Sequence, residues 1–331
     1  MLQRLTTMLC FIALFSQVNA QSPDELTVMF YNVENLFDTR DDSLTRDDEF
    51  LPRGLRGWTY TKFQQKLQNI YKVIAATGEW EPPVLVGLAE VENRYVLEAL
   101  LRDTPLHRYR YQIVHQDSKD ARGIDVALLY RSDQFEVLQT KFVPVDLSAW
   151  GGGHTRDILY AKGTLLSGDT LHYLVNHWPS RYRGVQASNP LRMQAALTLK
   201  AFTDSLYQNN PNSNIIITGD FNDNPEEASL QALCDNEYLV NISQYAMEGT
   251  NKHQDHWNTF DQFIISRNLR QNRGGWFVAE ENASALAAPW LLEEDTKYLG
   301  YKLRRTYVGF RYQGGFSDHL PVYVRLIKSN L

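Results

Sequence analysis

The chain has 331 residues, of which 43% are hydrophobic and 22% charged, an ordinary composition for a globular protein with a sizeable core. Its formal net charge is −6 at pH 7. This acidic balance excludes attachment to nucleic acid by bulk positive charge. A substrate that carries phosphate must therefore be attracted locally, by a metal ion or by a few arginine and histidine side chains.

The N-terminal segment 1–20 has the features of a secretory signal peptide. Arg4 gives it a positive start, residues 8–15 form a short apolar core, and 18–20 (VNA) has the small-residue pattern of a cleavage site. The apolar core is too short for a stable membrane anchor. We therefore expect export to the periplasm or the extracellular space after cleavage near Ala20. The remaining 21–331 would form a single domain with a net charge of −7, because Arg4 is the one charge removed.

Cysteine usage excludes both a disulfide framework and obvious thiol chemistry. Cys10 leaves with the signal peptide, so Cys234 is alone in the mature chain and cannot form an intramolecular disulfide. Cys234 falls in an apparent amphipathic helix over 226–234. We interpret it as a small core residue rather than a nucleophile.

The mature chain alternates strands with loops and a few helices. Strands are predicted at 26–31, 84–88, 111–116, 124–130, 135–139, 158–166, 170–175, 215–218, 259–266 and 320–327. Helices are predicted at 61–76, 94–102 and 226–234 and from 190 onward, the last with Asn189 as N-cap and Pro190 at its first position. The polar segment 38–58 is interpreted as a solvated surface loop rather than a lid, and 270–305 as irregular. With no linker in the sequence, one domain of two packed sheets with flanking helices is the simplest account.

Polar side chains recur where apolar strands end. The central example is 215–222 (IIITGDFN), in which a β-branched strand, typical of burial on both faces, is followed by Asp220 and Asn222. The full set is Asn32, Glu90, Asp125, His177, Asp220, Asn222, Asp261, Asp318 and His319. Singly, each fits a turn, a helix cap or a satisfied interior histidine. Together they describe an oxygen-rich site for Mg²⁺ or Mn²⁺, with imidazoles left for proton transfer or phosphate contact. The motifs H-E-x-x-H and C-x-x-C are absent from the sequence, so the pattern is not that of a zinc site.

Six short segments in a fixed order carry a family resemblance. They are 31–35 (YNVEN), 89–93 (AEVEN), 176–178 (NHW), 219–222 (GDFN), 260–263 (FDQF) and 317–319 (SDH). This set resembles the endonuclease/exonuclease/phosphatase superfamily, which includes pancreatic-type deoxyribonucleases, abasic-site DNA endonucleases, bacterial sphingomyelinases and inositol polyphosphate phosphatases. The resemblance implies an α/β fold, a four-layer α/β sandwich of two packed mixed β-sheets flanked by helices.

The resemblance also implies roles for the metal and the attacking water. Glu90 would be the main metal ligand, with Asn32 beside it, and Asp318 would help to bind the metal or order the site. Asp220 would orient or deprotonate the water. Asn222 would hold that water or a phosphate oxygen.

Further roles concern proton transfer and phosphate contact. His319 would contact the scissile phosphate, and Asp261 would fix its tautomer and support its charge. His177 resembles the second histidine of the deoxyribonuclease and sphingomyelinase branches, with Asp125 where its acidic partner is expected. Each histidine would then have its protonated form favoured. Arg181, four residues after His177, is the best candidate for a phosphate clamp.

Three functional hypotheses follow from the sequence. The first is a secreted, Mg²⁺-dependent phosphoesterase that cleaves phosphodiesters by in-line attack of water, as an endonuclease-like enzyme on DNA or RNA. The second is the same chemistry on a small-molecule or lipid phosphate. The third, a binding domain without catalysis, is disfavoured because all nine polar positions are present. We expect a monomer without a stable membrane anchor or a protein partner. The class of substrate, and whether cleavage is endo or exo, depend on loops whose function the sequence pattern does not predict.

Overall fold

The computed structural model describes residues 24–79, 81–151, 153–182, 184–243, 249–271, 275–278 and 282–329. The predicted signal peptide lies outside these ranges. Among the described residues, no helix combines the length and the apolar character that crossing a membrane requires.

Strands and helices follow the predicted order, with several longer strands. The strands are β1 (Glu25–Leu36), β2 (Leu85–Val91), β3 (Tyr111–His115), β4 (Asp125–Arg131), β5 (Phe135–Val143), β6 (Ile158–Leu165), β7 (Thr170–His177), β8 (Asn214–Asp220), β9 (Leu239–Asn241), β10 (Asn251–His253), β11 (His256–Asn258), β12 (Asp261–Ser266), β13 (Trp276–Val278), β14 (Ser284–Ala285), β15 (Leu292–Glu294), β16 (Tyr301–Leu303), β17 (Tyr307–Val308), β18 (Arg311–Tyr312) and β19 (Val322–Lys328). The helices are α1 (Tyr60–Thr77), α2 (Arg94–Asp103), α3 (Val185–Asn209), α4 (Ala228–Cys234) and α5 (Arg267–Arg270).

Two mixed sheets form the centre of the molecule. The first sheet has the order β13-β19-β1-β2-β4-β3, with β14 also paired to β19, and the second has the order β5-β6-β7-β8-β12-β9. Strands β1 and β2 are parallel in the first sheet, as are β7 and β8 in the second. Parallel strands end at the same edge of a sheet, so the polar residues that end these four strands are brought to common edges.

Alternation of side chains along the strands builds the layers. On β8, Ile216 lies in the core between the two sheets, whereas Ile215 and Ile217 pack in the cluster that includes α3 and α4. On β1, Phe30 faces the same inter-sheet core and Met29 faces the cluster that includes α1 and α2. Successive side chains on a strand point to opposite faces, so each strand serves two cores. The order helices, sheet, sheet, helices confirms the predicted four-layer sandwich.

Three local predictions were wrong. Helix α3 begins at Val185, not at Pro190, which lies inside the helix; the Ser188 amide already donates to the Gly184 carbonyl, so the first turn forms before the proline. The segment 38–58 is not simply solvated, because Trp58 is fully buried and its Nε1 donates to the Phe37 carbonyl at 2.9 Å. The segment 270–305 contains the short strands β13 to β16 rather than irregular chain alone.

Cys234 ends α4 and packs against the core cluster below that helix. Burial raises the pKa of its thiol to about 11. The thiolate is the reactive form, so on the order of one molecule in ten thousand is reactive at neutral pH.

We expect iodoacetamide at pH 7.5 to label the folded protein far more slowly than free cysteine. We also expect Cys234→Ser to leave turnover unchanged at a cost of about 1 kcal/mol in unfolding free energy. Rapid stoichiometric labelling with loss of activity would identify a thiol mechanism.

Candidate active site

The ends of the two parallel strand pairs meet across the inter-sheet core. Asn32 on β1 donates from Nδ2 to Asp220 Oδ2 on β8 at 3.0 Å, which joins the first sheet to the second. In the second sheet Asp220 is aligned with His177 on β7 and with Asp261 on β12. Three of the predicted residues, Asn32, His177 and Asp261, are therefore neighbours of the buried Asp220.

Asp220 is held in an environment that makes its carboxylate more basic than usual. Its Oδ1 accepts the backbone amide of Asn222 at 2.9 Å, and the Asn222 side chain donates to the Trp178 carbonyl at 3.1 Å. Burial raises the pKa of Asp220 to about 6, and the charge of Asp261 adds to the rise while that of His319 opposes it. A carboxylate with a pKa near the working pH is suited to accept a proton.

The predicted pairing of His319 with Asp261 is confirmed. His319 Nδ1 lies 2.7 Å from Asp261 Oδ2, and its Nε2 lies 3.7 Å from Asp220 Oδ2, all within the protein interior. Burial disfavours the imidazolium, but the carboxylates of Asp261 and Asp220 outweigh it and hold the pKa of His319 well above its usual range. His319 is therefore the protonated histidine of the site.

His177 has the opposite character, and its expected pairing with Asp125 was wrong. Its Nε2 faces the space between Asp220 Oδ2, at 3.6 Å, and Glu90 Oε1, at 3.9 Å. Its Nδ1 has no hydrogen-bond partner among the described residues. Burial holds the pKa of His177 well below its usual range, and the charges of Arg156 and Arg122 add to this effect. His177 is therefore neutral at pH 7.

Asp125 instead lies beside His115, which is outside the predicted set of site residues. Its Oδ2 is 3.6 Å from His115 Nε2, and its Oδ1 accepts the Ser118 amide at 2.9 Å. Asp125 begins β4, and His115 ends the neighbouring antiparallel strand β3, so both lie at the same end of the first sheet. His177 belongs to the other sheet.

Glu90 occupies a strained position on a strand irregularity. Its backbone φ is +65°, and the pairing of β2 shifts register between Ala89 and Val91. A non-glycine residue in this region costs about 1–3 kcal/mol and is common at functional sites. The carboxylate accepts the Asn35 amide at 2.9 Å and approaches Asn32 Nδ2 at 3.5 Å.

The oxygen ligands available at Glu90 and Asn32 fit a hard divalent cation. The Glu90 side chain is 15% exposed, and among the described residues no lysine or arginine lies within ion-pair distance of it. Its two hydrogen-bond donors are neutral, and the cations that act on it, Lys66, Arg156 and Arg305, do so from beyond ion-pair distance. Carboxylate and amide oxygens are the ligands that Mg²⁺ and Mn²⁺ prefer. Asp220, Asp261 and His319 also offer ligand atoms within 4.8 Å of one another, but the charges of Asp261 and Asp220 favour a proton on His319, and that proton would have to leave before the ring could bind a metal.

Asp318 is neutralised by the chain itself. Its Oδ2 lies 2.7 Å from Arg305 Nη2. Burial would raise the pKa of Asp318, but the charges of Arg305 and His319 outweigh burial and lower it. Of the two roles implied for Asp318, ordering the site fits these contacts and metal binding does not.

Arg181 is not placed as the predicted phosphate clamp. Its Nε donates to the Asn222 carbonyl at 2.7 Å, and its Nη2 binds Asp223 at 2.9 Å and Glu227 at 3.1 Å. Two carboxylates therefore neutralise the guanidinium, which supports the turn that carries Asn222. No sequence pattern predicts these partners, because they depend on how the turn folds.

Two other arginines approach the site and were missed as functional candidates. Buried Arg156 donates to the Trp178 carbonyl at 2.7 Å and to Asp120 at 3.0 Å. Half-exposed Arg122 shares the same Asp120 carboxylate, at 3.5 Å. One carboxylate between two guanidiniums leaves a net positive charge beside His177. Arg122 lies three residues before Asp125 in the sequence. This proximity was the only indication that Arg122 would lie near the site.

Comparison with known proteins gives consistent results for the family and the fold. A sequence profile of the endonuclease/exonuclease/phosphatase family matches residues 27–328. A structure of a family protein from Bacteroides thetaiotaomicron is similar at TM-score 0.59 and 18% identity, covering 93% of this chain and 100% of that one. A mannosyl-6-phosphatase of the same organism gives TM-score 0.56 and 19% identity, covering 91% and 99%.

A more distant likeness is to the catalytic domain of human nocturnin with bound sulfate. It has TM-score 0.57 and 15% identity, and the alignment covers 92% of this chain and 95% of that one. At these identities the solved structures support the fold alone. No protein with a curated description matches the chain.

The contrast between the two histidines is testable by NMR titration. We expect His319 to titrate above 6.5 and His177 below it. Asp261→Asn removes the charge that supports the His319 imidazolium, so the pKa of His319 should fall. The basic limb of the pH–rate profile should then move to lower pH. Turnover should drop by roughly two to four decades with little change in KM.

Asp103→Asn, at an acid paired with Arg102 on the surface, is the matched control and should leave both measurements unchanged. If Asp261→Asn keeps parental turnover and an unmoved pH profile, the catalytic pairing must be withdrawn.

Proposed function

The chain belongs to the endonuclease/exonuclease/phosphatase family, whose enzymes are metal-dependent phosphoester hydrolases, and from that premise we propose that it hydrolyses phosphate esters with bound Mg²⁺ or Mn²⁺. The observation that carries the proposal is the division of the site into two parts. Glu90, which has no lysine or arginine within ion-pair distance among the described residues, forms one part, and the basic carboxylate of Asp220 beside His319 forms the other. His177 Nε2 lies 3.9 Å from Glu90 Oε1 and 3.6 Å from Asp220 Oδ2.

Glu90 and Asn32 would hold the cation. When bound, it would neutralise negative charge on the oxygens of the phosphoryl group. Asp220, with its pKa of about 6, would accept a proton from the attacking water. The backbone N–H of Asn222 donates to Asp220 Oδ1 and so fixes the orientation of the Asp220 carboxylate.

The two histidines would divide the remaining work. His319 keeps its proton because Asp261 and Asp220 stabilise the imidazolium, so its Nε2–H can donate to a phosphate oxygen. His177 is neutral and offers a hydrogen bond without adding charge. Arg122 replaces Arg181 as the arginine that we propose for phosphate contact, since its side chain is half-exposed and its charge acts on His177.

The charge distribution favours a small phosphate ester over a long nucleic acid. The chain is acidic, and Arg181, the expected phosphate contact, is bound to two carboxylates. A polyanion needs several cationic contacts along its length, whereas a single phosphate group needs few. DNA or RNA cleavage, which the sequence favoured, is the second candidate, because the same site suits a phosphodiester. We also propose that the protein is exported, that it is a monomer, and that it has neither a stable membrane anchor nor a protein partner.

A substrate panel separates these candidates. Purified protein would be tested with sugar phosphates, inositol phosphates, sphingomyelin, plasmid DNA, RNA and bis-p-nitrophenyl phosphate, each with Mg²⁺, with Mn²⁺ and with EDTA. We expect hydrolysis that EDTA abolishes and the highest kcat/KM on a small ester. Faster turnover of plasmid DNA or RNA would restore the nuclease assignment. No hydrolysis of any substrate with either metal would contradict the enzymatic proposal.

Glu90→Gln tests the metal assignment. It keeps the size and one of the two acceptor oxygens but removes the charge. Mg²⁺ affinity measured by calorimetry should therefore weaken, and activity should fall by several orders of magnitude. Raised Mg²⁺ or Mn²⁺ should partly restore activity, because a lost ligand is a binding defect. Glu98→Gln, at an exposed acid paired with Arg94, is the control and should bind metal like the parent. Equal metal affinity in Glu90→Gln and parent would remove Glu90 from the metal site.

A further inference from the structure

Lys66 is a buried lysine on α1, outside the motifs that form the active site. It lies on the inner face of α1 among apolar side chains such as Phe63, Leu67 and Ile70, and it is 1% exposed. Lysine is almost never fully buried unless it is paired, because removing an ammonium group from water is costly. Its presence on this face therefore calls for specific partners.

The partners of Lys66 lie in one segment, 304–317, which leads directly to Asp318 and His319. Lys66 Nζ donates to Thr306 Oγ1 at 2.5 Å and to the Phe316 carbonyl at 2.6 Å. Nζ thus bonds near both ends of the segment, whose middle forms the β17–β18 hairpin.

Asn69, one helical turn further along α1, binds the same segment. Its Nδ2 donates to the Gly315 carbonyl at 2.7 Å and to the Gly314 carbonyl at 3.2 Å. Residues three apart on a helix lie on the same face, so the K-x-x-N spacing presents both donors together. The segment accepts four hydrogen bonds from α1, three of them at backbone carbonyls.

Strand β1 holds the segment from the other side. Glu34 accepts the Thr306 amide at 2.6 Å and Arg305 Nε at 3.1 Å. Ser317 Oγ donates to the Asn32 carbonyl at 2.7 Å, and it also accepts the His319 amide at 3.1 Å. His319 is therefore attached to a segment that is fixed on one side by β1 and on the other by α1.

The charges around Lys66 are balanced. Burial lowers the pKa of Lys66 to about 8, and Glu34 of β1, Asp318 of the segment and Glu90 of β2 oppose that effect, while Arg305 adds to it. An ammonium in this position compensates the buried carboxylate of Glu34 and the partly exposed carboxylate of Asp318. It does not reach the acid–base residues themselves, since its hydrogen bonds end at Thr306 and Phe316.

We propose that Lys66, together with Asn69, is a positioning residue that fixes the segment 304–317 so that His319 stays within reach of Asp261 and Asp220. The inference rests on the proposed function, because it assigns to α1 a part in phosphoester hydrolysis through His319. Lys66 acts through the segment, and a small displacement of His319 weakens its contact with the transition state more than the binding of substrate.

Kinetic measurements give the first test. In Lys66→Met, which keeps the length of the side chain but loses the charge and the donors, we expect kcat to fall by about 10- to 100-fold. KM should change by less than about threefold, because substrate contacts are not touched. Lys66→Arg, which keeps charge and donors, should retain more activity than Lys66→Met. Ile74→Ala, at a buried position two turns along the same helix, controls for general destabilisation and should keep parental kcat well below its melting temperature.

An NMR measurement tests the same inference without activity. The imidazole Nδ1–H of His319 in its 2.7 Å bond to Asp261 should give a downfield proton resonance in the parent. Lys66→Met should broaden or shift that resonance, Asn69→Ala should do so less, and Ile74→Ala should leave it in place. If Lys66→Met does not fold, Asn69→Ala decides the matter by the same two measurements.

The outcomes separate this inference from the proposed function. If the parent hydrolyses no phosphoester, the proposed function fails, while the NMR comparison still decides whether α1 positions His319. If the parent is active and a folded Lys66→Met keeps both parental kcat and the parental His319 resonance, the positioning role is overturned. A loss of kcat that Ile74→Ala matches would also overturn it, because any destabilisation of α1 would then suffice.

Discussion

The hydrogen bond from Asn32 to Asp220 is the contact on which the rest of the site depends, because it joins the two sheets where their parallel strands end. Behind it lies the apolar inter-sheet core, which sets the distance between β1 and β8. The proposed metal ligands belong to the first sheet, and the proposed acid–base residues belong to the second sheet and the segment before β19. A slip of either strand by one residue would turn these polar groups toward the opposite face.

Environment, more than residue type, assigns the roles of the charged groups. Asp220 is buried and Asp318 is partly exposed. The pKa of Asp220 is raised because burial dominates, whereas that of Asp318 is lowered by Arg305 and His319. The two histidines diverge for a similar reason. His319 faces two carboxylates at short range, whereas His177 is buried near guanidinium groups and keeps a neutral ring. These opposite pKa shifts are those that the proposed division into a proton donor, His319, and a proton acceptor, Asp220, requires.

The sequence was sufficient for the fold and for the central residues because these depend on local pattern. Strand and helix patterns predicted two packed sheets with flanking helices. The resemblance carried by the ordered motifs implied the four layers and the meeting of Asp220, Asp261 and His319. Partners set by tertiary packing were not predictable in this way. Asp125 lies beside His115, and Arg181 is bound by Asp223 and Glu227, since strand neighbours and turns determine both.

Residues that support the site from outside the motifs were harder still to anticipate. Lys66 stands on an apolar helical face, where periodicity alone predicts a solvent-facing or snorkelling lysine. Its partners lie 240 and 250 residues away in the chain. Pro190 shows the converse limit, because a strong local signal for a helix start was overridden by a first turn that forms from Gly184 onward. Capping rules describe preference, and tertiary context decides the boundary.

The central claim is that the carboxylates of this site are divided between cation binding at Glu90 and proton handling at Asp220, Asp261 and His319. Anomalous diffraction from crystals soaked with Mn²⁺ and inorganic phosphate tests this division most directly. The account predicts one ion bound by Glu90 and Asn32, with phosphate against His319 and His177. An ion bound instead among Asp220, Asp261 and His319, with Glu90 unligated, would contradict it.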